Sequence, residues 1–257
     1  LWPQERELRI KTADIINRSE HIGTVAVVQD ITEVKKLENM RTQFVANVSH
    51  ELKTPLTSIK GFAETLKYVD DAETKEKFLN IINEEAERLT RLSTDILTLS
   101  HIEQQKEVKN EKIDINKIVE DVYNLMKNIA ELKGIQLSVQ HQNVKPVIGD
   151  ADRFKQMLIN LVDNAINYSE TGDSVCIGME SKDDKCILWV KDTGVGIDKE
   201  QISRIFERFY RVDKARSRSK GGTGLGLAIV KHIVLKLNGK IYVEDRKSTR
   251  LNSSHLY

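Results

Sequence analysis

The 257-residue chain has two cysteines, three prolines and only 5% aromatic residues, and neither sign of charge dominates: 40 Lys+Arg stand against 39 Asp+Glu. Each scarcity excludes something. Cys176 and Cys186 make no CxxC, and each sits in an apolar, strand-like run, so both are expected as buried free thiols, not as a disulfide or metal site. A nucleic-acid binder usually shows a basic excess, and a base-stacking one shows aromatics; neither is present, so no nucleic-acid partner is expected. No run approaches the ~18 apolar residues that a membrane helix needs. The chain opens with Leu1 inside strand-like text. It therefore reads as a piece of a longer protein, and the missing membrane segment says nothing about that parent.

Apolar residues make up 39% of the chain and charged residues 31%, which suits folded, helix-rich modules and argues against disorder. Gly23 to Asp30 is an apolar, β-branched run bounded by turn formers, a predicted strand. Apolar positions then recur at Ile31, Val34, Leu37, Met40, Phe44, Val48 and Leu52, in steps of three and four, which predicts one long amphipathic helix. Phe78, Ile81, Leu89, Leu92, Ile96, Leu99 and Ile102 predict a second helix over 72–105, with a polar turn at 67–71 between the two. Such a pair forms an antiparallel hairpin. Its apolar faces are too long to cover one another, so dimerisation into a four-helix bundle is expected. Residues 104–112 are charged and aperiodic and read as a linker. Beyond them, helices are predicted over 114–133, 150–168 and 223–237, and strands over 136–140, 174–180, 185–192 and 240–244, an α+β mixture.

Four clusters carry chemistry. In the first, His50 falls opposite the apolar stripe of its helix and faces solvent. A lone surface histidine is usually unremarked, but Glu51 beside it is able to hold one ring proton and leave the other nitrogen nucleophilic. Thr54 follows one turn on, with a hydroxyl suited to orienting a water. His50-Glu51-x-x-Thr54 misses the second histidine of a zinc-protease HExxH, which removes that reading. In the second cluster, Asn160 and Asn164 are four residues apart on one helix face, and their carboxamide oxygens suit a hard cation such as Mg²⁺. Tyr168 offers a ring to adenine. In the third, Asp192-Thr-Gly194-Val-Gly196-Ile197 follows a strand; its glycines allow a turn and close ligand approach, and Asp192 suits an exocyclic amine. In the fourth, Gly222-Thr223-Gly224-Leu225-Gly226-Leu227 opens a helix whose N-terminal amides suit phosphate, without the P-loop or dinucleotide spacing. Between the last two lies Ile205–Asp213, predicted as an apolar–basic helix, with Arg211 placed to reach a terminal phosphate.

Taken in order, these clusters resemble the H, N, G1, F and G2 boxes of the sensor histidine kinases of two-component systems, over about residues 31–244. The wording of the H box and of 206–227 most resembles the phosphate-limitation sensor kinases of Gram-positive bacteria, and residues 1–30 resemble the last strand of a PAS sensor domain. The resemblance implies a multidomain α and α+β protein. Residues 1–30 would be a PAS remnant, and 31–106 a signalling helix and dimerisation/phosphotransfer hairpin. Residues 107–245 would be an α/β sandwich ATP-binding domain of the GHKL type.

The resemblance also implies autophosphorylation of His50 by ATP with Mg²⁺, then transfer to an aspartate of a response-regulator receiver domain. The molecule would be a homodimer and the cytoplasmic portion of a bacterial plasma-membrane protein. By motif position Glu51 acts as general base, Thr54 serves phosphatase action on the regulator and Arg211 holds the γ-phosphate. Asn164 binds Mg²⁺ with Asn160 in support, while Tyr168, Asp192, Gly194, Gly196 and Ile197 meet the adenine side. Phe209, Lys214, Gly222, Thr223, Gly224, Leu225, Gly226 and Leu227 line the nucleotide. The competing expectation is an ATP-binding scaffold with impaired catalysis. Two departures stand out. Asn167 stands where many relatives carry lysine, so a phosphate contact is lost or comes from elsewhere, such as Lys214 or Lys220. The tail 246–257 lacks a strand period and reads as foreign sequence, which would leave the sheet one strand short.

Overall fold

The computed structural model describes residues 5–17, 20–104, 109, 111–140, 144–182, 185–212, 222–246 and 251–256. The chain divides into two units, 1–60 and 61–257. The dividing point falls inside a helix, because that helix runs without interruption from Thr32 to Thr65.

In the first unit β1 (Leu8–Asn17) pairs antiparallel with β2 (Glu20–Asp30). Only β2 was expected. Arg9, Lys11, Thr12 and Asp14 break up the apolar run of β1 and hide its strand character until its partner is known. Helix α1 (Thr32–Thr65) starts where the Asp30 carboxylate accepts the Thr32 N–H at 3.0 Å and its hydroxyl at 2.6 Å, which satisfies an otherwise orphaned helix donor. Those two bonds hold the Asp30 pKa below its ordinary value. The ribbon grips the helix start from its other strand as well: the Ile31 N–H donates to the Glu7 carbonyl at 2.9 Å, and the Glu7 N–H to the Thr32 hydroxyl at 2.9 Å. Val34, Leu37 and Met40 of the expected apolar stripe stay exposed.

In the second unit the end of α1 is followed by α2 (Ala72–Gln104), capped by the Asp71 carboxylate on the Thr74 N–H at 2.8 Å. A three-residue strand β3 (Glu111–Ile113) follows and pairs with β5 (Val147–Gly149). Part of the expected linker is thus a strand, one too short to show any period. Next come α3 (Ile115–Leu132), β4 (Gln136–Gln140), α4 (Ala151–Tyr168), β6 (Ser174–Lys182), β7 (Lys185–Asp192) and a single turn α5 (Lys199–Ile202). The unit ends with α6 (Gly226–Lys236), β8 (Ile241–Arg246) and β9 (Leu251–Leu256). The main sheet has the order β4-β6-β7-β9-β8, parallel only between β4 and β6.

Helices α3, α4 and α6 pack together, and α4 lies on β6 and β7. Val122 and Met126 of α3, Leu158 and Ile166 of α4, and Ile229 and Ile233 of α6 meet Val175, Ile177, Met179 and Leu188 of the sheet in the core. Burying each such side chain stabilises the fold by roughly 1.5–3 kcal/mol.

Several expectations are corrected here. The described residues 203–212 run through turns, not the helix expected over 205–213, because the Phe209 N–H donates to the Gly224 carbonyl at 2.8 Å instead of to its own helix. Helix α6 starts at Gly226, since Thr223 caps a preceding turn by accepting the Leu225 N–H at 3.2 Å. The tail is not strandless: 251–256 lies between β7 and β8 and completes the sheet. Main-chain pairing needs no side-chain period, which is why composition hid it. Cys176 and Cys186 are free but only half-buried, and burial raises the Cys186 pKa to about 11.

On the sheet face away from the helices Gly178 sits opposite Trp189, and a Cβ on Gly178 would stand 2.2 Å from the indole. Gly178→Ala is therefore expected to destabilise this unit by ~1–3 kcal/mol, read as a lower denaturant midpoint, and Trp189→Ala in the same background should recover part of the loss.

Candidate nucleotide-binding and phospho-acceptor site

Helix α4 brings most of the expected N-box residues to one place. Its apolar positions fall on the core face, so Asn160, Asn164 and Asn167 share the opposite face. They line a cavity of about 360 Å³ together with Tyr168, Gly222, Thr223, Gly224, Gly226 and Leu227. Asn160 is committed locally. Its Oδ1 accepts from Gln156 Nε2 at 3.2 Å, and its Nδ2 donates to the Gly226 carbonyl at 3.4 Å, tying α4 to the start of α6. Asn164 lies close by; a Cβ on Gly226 would stand 3.7 Å from its Nδ2. Leu225, expected at the nucleotide, is fully buried in the core instead, because the turn before α6 points it inward.

The glycine turn is shaped by close approach. Gly224 has φ +74, and a Cβ there would come within 3.0 Å of the Phe209 backbone and 3.3 Å of Arg211 Nε. Phe209 itself holds φ +63, a strained conformation for a bulky residue. The F and G2 boxes are thus locked back to back, with Arg211 against the turn. Asp192, Gly194, Gly196 and Ile197 do not line the cavity. They reach it through Tyr168, whose carbonyl accepts the Val195 N–H at 3.3 Å and leaves only 2.4 Å to a Cβ on Gly194. The Asp192 Oδ1 accepts the Gly194 N–H at 3.0 Å. Lys214 and Lys220 lie outside the described residues.

The phospho-acceptor candidates sit on α1. His50 is exposed and Glu51 half-buried. The Thr54 hydroxyl donates to the His50 carbonyl at 3.3 Å, which places the threonine one turn on, as its spacing predicts.

Sequence reasoning missed several cavity residues, among them Arg91, Asp95, Asp163, Ile205 and Tyr210. Thr223 is buried and its hydroxyl donates to Asp95 Oδ2 at 2.6 Å, a bond from the glycine turn to α2. Farther along α2, Glu103 binds Arg208, which also donates to His232 Nε2 at 3.4 Å. Desolvation lowers the His232 pKa, partly offset by Glu103. The signal for Asp95 was present: a carboxylate one turn from both Leu92 and Leu99 on a buried stripe. Desolvation raises its pKa above the ordinary 3.8, opposed by the Thr223 bond and Arg91 and reinforced by Asp163. The Asp163 pKa is also raised by burial and opposed by Lys133 and Arg91. More than a third of Asp163 remains open to water, so its desolvation is partial.

Residues 40–105 match the His Kinase A (phospho-acceptor) domain, and residues 149–254 match the histidine kinase-, DNA gyrase B- and HSP90-like ATPase family. The chain carries the phospho-acceptor and ATPase domains of the histidine kinases. It is 38% identical over 243 residues to the sensor protein kinase WalK of Staphylococcus saprophyticus, covering 92% of this chain and 40% of that one. It is 34% identical over 241 residues to the sensor protein SrrB of Staphylococcus aureus, covering 90% of this chain and 40% of that one. The chain thus spans well under half the length of these relatives. Among solved structures, histidine kinase ThkA in complex with response regulator protein TrrA superposes with a TM-score of 0.69 at 27% identity, over 100% of this chain and 76% of that one. Acinetobacter baumannii histidine kinase AdeS gives 0.64 at 29%, over 80% of this chain and 95% of that one. The expected architecture, a helical hairpin followed by a GHKL-type ATPase domain, is that of this kinase family.

The raised Asp95 pKa carries a sign. A carboxylate whose folded pKa is raised costs stability as pH climbs from 3.8 through the raised value, and the cost persists above it. Asp95→Asn keeps an acceptor for the Thr223 hydroxyl and removes the charge. Its melting temperature relative to wild type should therefore rise between pH 4 and pH 7, followed by calorimetry at each pH.

Proposed function

We propose that this chain is the cytoplasmic signalling part of a membrane-anchored bacterial sensor kinase that autophosphorylates His50. One pairing supports the reading best: an exposed His50 in the phospho-acceptor stretch and a carboxamide- and glycine-lined cavity in the ATPase stretch. His50 attacks the γ-phosphorus of ATP. A P–N bond forms, the bond to the β-phosphate oxygen breaks, and ADP leaves. Glu51 holds the proton on the other ring nitrogen, so the attacking one keeps its lone pair. The phosphoryl group then passes to a receiver-domain aspartate, and Thr54 orients the water that later hydrolyses that product.

Positioning and charge neutralisation do most of the work in such a transfer. Because the oxygen of Asn160 is already engaged by Gln156, Asn164 is the residue that fits Mg²⁺, with Asn160 bracing the helix behind it. Mg²⁺ supplies neutralisation of triphosphate charge. Asp192 and Tyr168 take the adenine side and Arg211 the γ-phosphate. A homodimer is supported by the phospho-acceptor hairpin match and by the exposed stripe of α1.

Residues 1–30 fit the end of a PAS-type sensor: a ribbon with exposed Ile10, Val25, Val27 and Val28, hydrogen-bonded to the signalling helix. Phosphate starvation as the stimulus rests on the wording of the H box and of 206–227, and neither WalK nor SrrB lends it support. We also propose that 246–257 is foreign sequence whose main chain fills the vacant sheet position.

The test is labelling with γ-³²P-ATP and Mg²⁺. Wild type should acquire an acid-labile, base-stable label that His50→Gln abolishes. Asn164→Ala should slow labelling by roughly 10²-fold or more, the scale expected when a charge-stabilising contact is lost. ATP binding without label in wild type would favour the scaffold reading.

A further inference from the structure

We infer that Lys133, at the end of α3, supplies an ammonium group to the triphosphate by way of Asn167. The inference rests on the nucleotide reading of the cavity given above. Among the described residues lining that cavity, Asp95 and Asp163 are acidic and Arg91 alone is cationic. Even with Arg211 beside the glycine turn, the several negative charges of a triphosphate favour a further cation at this rim.

Lys133 lies outside the lining but is aimed at it. Its Nζ donates to Asn167 Oδ1 at 2.5 Å, and Asn167 Nδ2 donates on to Asp163 Oδ2 at 2.9 Å. Asn167 lines the cavity on the same face of α4 as Asn160 and Asn164. The lysine has a built mount. Its carbonyl accepts the Thr171 hydroxyl at 3.2 Å, and the next carbonyl, that of Gly134, accepts the Gly172 N–H at 2.9 Å. Gly134 has φ +69, and a Cβ there would stand 2.7 Å from Thr171 Cγ2. Two turns, one after α3 and one after α4, are thus clasped so that a long side chain from one reaches the last turn of the other. In the nucleotide-free chain the ammonium offsets the charge of Asp163. When phosphate enters, it moves from the Asn167 carbonyl to a stronger acceptor, since a charged oxygen outcompetes an amide oxygen.

The test is calorimetric binding of ATP, with Mg²⁺, and of adenosine to the whole chain. Lys133→Met should weaken ATP about 5–10-fold, the scale of one charged hydrogen bond, and leave adenosine unchanged. K133M/N167K, which carries the cation on α4 itself, should regain most of the loss. ATP affinity unchanged in K133M overturns the inference alone. So does an equal loss for adenosine, which would mark a merely structural role, and so does a double variant as weak as K133M. A wild type that binds no ATP overturns the nucleotide reading along with it.

Discussion

Helix α4 has to satisfy two media at once, and the rest of the second unit follows from how it does so. One face carries Phe154, Met157, Leu158, Leu161, Val162, Ala165 and Ile166 into a core shared with α3, α6 and the sheet. The other face presents three carboxamides and a carboxylate to a cavity. A helix can be divided in this way only if its 3.6-residue period is kept throughout. Any slip of register would bury Asn164 and expose Leu161. The floor of the cavity is therefore built directly on the core, while its roof is a glycine turn.

That roof is held by bonds of unequal kind. The Asn160 carboxamide reaches the first carbonyl of α6 from below, and Asp95 takes the hydroxyl proton of Thr223 from α2. The second is a charge-assisted bond, worth more than a neutral one where water is scarce. The half-buried Asp95 has little water for its charge, so the bond and the nearby Arg91 make its burial tolerable.

Much of this was legible in the residues, and what was not has physical reasons. The long helices, α3, α4, β4, β6 and β7 could be read because each carries a full period of apolar residues. The N and G2 boxes stood out by residue type and close spacing, and the fold brings Asn160, Asn164, Gly222, Gly224 and Gly226 to one cavity. Strands β3 and β5 escaped because three residues carry no period. The strand β9 escaped because main-chain pairing is indifferent to side chains. Residues 205–209 misled because their amphipathic look belongs to packing against the glycine turn, which supplies the hydrogen bond that a helix would have made internally. Asp95 lines the cavity and Lys133 reaches its rim through contacts 128 and 34 residues away in sequence. Distances of that kind do not appear in local pattern.

The junction between the amino-terminal ribbon and α1 has a mechanical consequence. Both strands grip the first residues of the helix, β2 through Asp30 and the segment before β1 through Glu7. The helix therefore has no swivel at its base. His50 stands eighteen residues beyond Thr32 on an unbroken helix, roughly 27 Å away at 1.5 Å per residue. The arrangement is a lever with a clamped end. A tilt of about 5° at the clamp carries the imidazole sideways by roughly 2 Å at that arm length, a displacement comparable to the margin between a reacting and a non-reacting encounter.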